Sequence, residues 1–219
     1  MPFQPRPIIA SLLAAGAVFA LSGCKTTGEL VGGEGVGITA VRGVCPAVGM
    51  ADYTGDITTF NGASGDARAI DVSAAITDVR AICNEKASPV SSAVSFRVLA
   101  RRADARGDRD VVLPYFVTVV RGGNVVISKR VAEVKLHFAD GQTRAEGAAS
   151  GAAIIDRKEA TLDVSARDRI MKVRKAGEAD AAVDPLTDPA VKAAVARASF
   201  EVLVGFQLTQ DQLNYNATR

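Results

Sequence analysis

The residue types most often used for nucleophilic and acid–base chemistry near neutral pH are scarce in this chain of 219: three cysteines, Cys24, Cys45 and Cys83, and one histidine, His137. A Ser-His-Asp arrangement would have to use that histidine. Its neighbourhood reads AEVKLHF over 132–138, with Val134, Leu136 and Phe138 alternating against Glu133, Lys135 and His137. A period of two puts the histidine on the polar, solvent-facing side of a strand. Two cysteines and one distant histidine do not make a zinc site. Ser-x-x-Lys occurs only at 22–25 and Gly-x-Ser-x-Gly does not occur. Segment 103–110, ADARGDRD, holds Asp104, Asp108 and Asp110 and invites comparison with a calcium loop. Arg106 and Arg109 sit among those acids and the bidentate glutamate is missing, so a solvated hairpin tip is expected. The chain reads as non-enzymatic, with no catalytic residue, no metal site and no cofactor.

Cys24 belongs to a different chemistry. Arg6 is the one charge before it, and from Pro7 to Gly23 the chain is uncharged, with IIASLLAAGAVFAL at its centre. A positive start, a short apolar core and small residues before a cut describe a secretory signal. The core is shorter than the ~20 apolar residues a membrane-spanning helix needs, and small residues interrupt it.

Leu21-Ser22-Gly23-Cys24 resembles the lipobox of bacterial lipoproteins, a leucine and two small residues before a cysteine. The resemblance covers residues 1–24. It implies that a lipid transferase joins diacylglycerol to the Cys24 thiol, the most nucleophilic common side chain near neutral pH. Cleavage between Gly23 and Cys24 and acylation of the new amine, with palmitate as a usual chain, would follow. It also implies a membrane-lipid partner through Cys24. Lys25 stands where that family often carries an inner-membrane retention aspartate. The expectation is therefore an outer-membrane anchor with the domain in the periplasm.

An odd cysteine count in an exported chain leaves one thiol over. With Cys24 lipidated, Cys45 and Cys83 remain as the intramolecular pair, in a compartment that permits disulfides. Removal of residues 1–23 takes away only Arg6, and basic and acidic residues then nearly balance. That balance gives no steering toward nucleic acid. Tryptophan is absent and aromatics make up 5% of the chain, too few for a stacking surface.

Residues 24–44 form the lipidated cysteine and a Gly/Thr-rich tether. The GGEGVG within it lacks the strand, helix and Lys-Ser/Thr of a phosphate loop. Residues 45–219 make a single domain. IDVSAAI (70–76) alternates and then slips phase, because Val79, Ala81 and Cys83 are the next in-phase set, which predicts a bulge or a turn near Thr77-Asp78. AVSFRVLAR (93–101) and FEVLVGFQL (200–208) alternate as strands. VVLPYFVTVV (111–120) is apolar nearly throughout, with Pro114 marking its first half as an edge or bulge. RGGN (121–124) turns it into a hairpin. Leu162 and Val164 suggest another short strand. Asp188 and Pro189 open one helix, near 189–198. The polar end, 209–219, is expected to fray.

Short strands at hairpin spacing with one late helix predict a mainly β fold, an antiparallel two-sheet sandwich of immunoglobulin- or fibronectin-like architecture. The functional expectation is a lipid-anchored binding or assembly module that engages another envelope protein. The alternative is a small-ligand carrier with an apolar pocket between the sheets.

Overall fold

The computed structural model describes residues 43–62, 66–173, 177 and 182–218. Gly23, Cys24 and the tether up to residue 42 lie outside the described residues.

Two four-stranded sheets share one core. The first runs β1 (Ala47–Met50), β8 (Phe200–Phe206), β5 (Arg109–Arg121), β6 (Val125–Phe138). The second runs β2 (Asp56–Phe60), β3 (Ile70–Asn84), β4 (Val90–Arg102), β7 (Arg144–Ile155). Every pairing is antiparallel except β1 with β8, which is parallel. Val72, Val94, Val98 and Phe96 of the second sheet meet Leu136, Phe138, Val202 and Val204 of the first in the common core. Cys45, just before β1, is bonded to Cys83 near the end of β3, so the expected disulfide staples one sheet to the other.

Local chemistry explains the strands. β4 alternates without interruption, burying Val90, Ser92, Val94, Phe96, Val98, Ala100 and Arg102. In β3 the register with β4 shifts between Thr77 and Arg80, and Asp78 takes a φ of 56°. The expected phase slip is thus a bulge, which returns Ala81 and Cys83 to the inner side opposite Val94 and Ser92. β5 is central, and from Tyr115 to Val120 it is buried on both faces, which is why its sequence does not alternate. Its pairing with β8 begins at Tyr115, and Pro114 sits at the very end of it, its carbonyl accepting from the Gln207 amide at 2.9 Å. In the β5–β6 turn Gly122 has a φ of 61°, and a Cβ there would lie 3.1 Å from the Ala196 carbonyl oxygen.

One strand goes unanticipated and two expectations are corrected. Residues 144–155 form a twelve-residue strand, β7, although they do not read as one. Ahead of Ile155 its inner side is Ala145, Gly147, Ala149, Gly151 and Ala153, too small to produce a hydrophobic alternation. The sheets approach so closely there that a Cβ on Gly151 would lie 2.5 Å from Val117 Cγ2. Val164 opens not a strand but α1 (Val164–Met171), because Asp163 accepts a hydrogen bond from the Ser165 amide and caps it. α2 (Pro189–Ala198) lies where one helix is expected, but α3 (Gln210–Thr218) adds a third at the end expected to fray. α3 is held by the Tyr215 ring, edge-on to Phe60 at 5.2 Å, and by Asn216 Nδ2, which donates to the carbonyls of Tyr53 and Asp56.

Candidate interaction surface

The same alternation that buries Val98 and Ala100 buries Arg102 at the end of β4, leaving 1% of it exposed. Its partners are carbonyls, not carboxylates. Nε donates to the Gln142 carbonyl at 2.7 Å, and Nη2 donates to those of Ala105 and Ala139 at 2.6 and 3.0 Å. The guanidinium carbon lies 5.3 Å from the centre of the Phe138 ring. Carbonyl dipoles and a π face thus stabilise the cation, while Nη1 has no partner among the described residues. Arg102 thereby ties the loop after β4 to the loop after β6.

The acids around this end are engaged. Arg109 grips Asp71 with two hydrogen bonds of 2.6 Å, which hold the Asp71 carboxyl below its usual range despite its burial. Arg106 pairs with Asp104, the Asp140 amide donates to Asp108, and the Gly107 amide donates to Asp140. Asp110 bonds Lys135 at 2.7 Å and the Nδ1 of His137 at 2.8 Å, the lysine doing most to lower its carboxyl pKa. The 103–110 segment is a tip laced to its neighbours. Among the described residues no three His, Cys, Asp or Glu side chains converge on a metal position. His137 stands on the exposed face, as its alternation expects, and its ring bonds a carboxylate, not a hydroxyl.

The unusual surface is an edge. Among the described residues, β6 pairs with β5 on one side and with no strand on the other. Its second half is anchored by Val134, Leu136 and Phe138, which turn into the core. Its first half, residues 125–133, is exposed throughout. Val126 is 62% exposed and Val131 56%, with Val125 and Ile127 beside them. Lys129 shares the strand face of Val131, its Nζ 4.5 Å from the Phe116 ring centre. A long apolar edge with free backbone donors and acceptors is a template for another strand.

A second concave feature lies on the outer face of the other sheet, not between the sheets. A groove of about 580 Å³ is floored by Ala75 and Leu99 and bordered by Asp56, Arg101 and Arg144. Arg101 and Arg144 stand directly opposite each other across β4 and β7. Among the described residues neither forms an ion pair, whereas Glu146 beside them is held by Arg97.

Comparison with protein-family models, curated proteins and solved structures finds no match.

Of the expected site residues, Cys45 and Cys83 are joined, and Gly23 and Cys24 lie outside the described residues. The sequence reading does not single out Arg102 or the β6 edge. For Arg102 a signal exists, because counting twos from Val98 places it inward. For the edge, VVI at 125–127 marks apolar residues on both sides of a strand beginning, but only topology shows that its outer side is unpaired.

Proposed function

We propose that this chain is a lipid-anchored envelope protein, acylated at Cys24, whose domain works at the outer membrane as a non-enzymatic binding or assembly module for another envelope protein. The domain is read as an immunoglobulin- or fibronectin-like sandwich facing the periplasm. The single observation that carries the binding reading is the free, apolar first half of β6 beside a core filled by large side chains from both sheets. β-Strand addition at such an edge gives affinity through main-chain hydrogen bonds and specificity through alternate side chains.

A photo-crosslinking residue at Val126 in living cells tests it. A discrete protein adduct at Val126, with none from the same residue at Ser95 on the outer face of β4, is the expected result. Equal labelling at both positions, or none at either, overturns the reading.

One observation favours a second reading, a small-ligand carrier. The Arg101–Arg144 pair over an apolar floor fits the carboxylate or phosphate of an amphiphilic ligand. In that case Arg101→Glu abolishes retention of an octyl phosphate probe by the full chain, and unchanged retention removes the carrier reading.

A further inference from the structure

We propose that the β6 edge is closed by β6 of a second copy of this chain, antiparallel, about a two-fold axis through Val131. The inference rests on the edge being a partner-binding surface and names the partner. It follows from the charges along the edge.

A two-fold axis through a strand pairs each residue with one of the same parity, so side chains of one face stay on one face. With the axis at Val131, Lys129 lies opposite Glu133 of the second copy, and Glu133 opposite its Lys129. Val131 then faces its own counterpart, and Arg130 stands opposite Ala132. No like charges oppose. The axes within two residues on either side fail this condition, and the axis at Ser128, farther along the exposed half, meets it but opposes no unlike charges. At Lys129 the two lysines oppose, at Arg130 the two arginines, at Ala132 Lys129 meets Lys135, and at Glu133 the glutamates meet. Opposite charges directly across strands stabilise and like charges destabilise, so within residues 125–133 the Val131 axis is favoured by its two Lys129–Glu133 pairs. Residues 125–133 are exposed, and the close approach of β7 at Gly147 is to Val134, Lys135 and Leu136, in the second half of β6. The first half is therefore open to approach. Pairing turns two four-stranded sheets into one continuous sheet of twice the width and buries the apolar edge of both copies.

The test uses the full chain in its own membranes with Val131→Cys. Directly opposed cysteines in an antiparallel pair lie within disulfide range. Mild oxidation is expected to give a dimer on a non-reducing gel. In that background Lys129→Glu alone, or Glu133→Lys alone, is expected to lower the dimer about tenfold, since each replaces two attractive pairs by two repulsive ones. Combining both substitutions in one chain restores it, and so does mixing the two single variants, whose edges are then complementary. A dimer that ignores the charge swaps overturns the proposal. A disulfide adduct of the Val131→Cys variant with a mass other than the dimer's overturns self-pairing but upholds the edge as a binding surface. No adduct of any kind overturns both.

Discussion

At the scale of single residues, two arginines adjacent in sequence have opposite fates. Arg101 points to the outer face and Arg102 into the core, solely because a strand alternates. Removing the Arg102 side chain takes the guanidinium donor from three loop carbonyls. Arg102→Met is therefore expected to cost about 2–4 kcal/mol in urea unfolding, whereas Arg101→Met stays within about 0.5 kcal/mol. Equal effects would mean that the burial of Arg102 carries no weight. Asp71 offers a pH test. Its carboxyl is held below the ordinary value of about 3.9, so it contributes stability that is complete above that pH and lost as pH falls through the folded value. Asp71→Asn is expected to cost about 1–2 kcal/mol near neutrality, the half-exposed Arg109 moderating the loss. The gap between wild type and variant should shrink as pH drops below about 4. A gap that grows in acid would contradict the sign.

At the scale of elements, legibility follows side-chain bulk. β4, β8 and the second half of β6 are readable because Val, Leu and Phe recur every second residue against polar neighbours. The β3 bulge is readable too, since one extra residue shifts the apolar phase. β7 is invisible for a steric reason. Its inner side must be small where Val117, Val134 and Leu136 press against it, and small residues leave no hydrophobic period. Gly151→Ala tests this directly. An alanine ordinarily suits a strand better than glycine, yet here its Cβ would overlap Val117, and a loss of about 1–3 kcal/mol is expected. A gain in stability would show that the sheets have room to part. The helices α1 and α3 escape a reading by pattern because their stability comes from a cap and from docking, not from a strong apolar stripe. That β6 has no second neighbour among the described strands is a property of strand order, which no local pattern contains.

At the scale of the whole molecule, a disulfide, the Asp71–Arg109 ion pair and a hydrogen bond from the Tyr115 hydroxyl to the Ser150 carbonyl join the sheets beyond their shared core. The disulfide spans 38 residues and crosses from the start of the first sheet to the second. Its removal by Cys45→Ala with Cys83→Ala is expected to cost about 3–4 kcal/mol, read as a lower urea midpoint than the oxidised parent. An unchanged midpoint would show that the apolar core alone holds the sheets. The pair is legible from counting once Cys24 is set aside for lipid, so the staple and the anchor are linked inferences. An anchored domain also makes edge pairing effective, because confinement to a membrane raises the local concentration of second copies. Everything proposed for this chain's place of work therefore turns on Cys24. Intact-mass spectrometry of the chain extracted from membranes measures this directly. The expected result is a mature chain beginning at Cys24, its sulfur carrying diacylglycerol and its amine acylated. A chain that retains residues 1–23, or one that begins at Cys24 with an unmodified thiol, would contradict it.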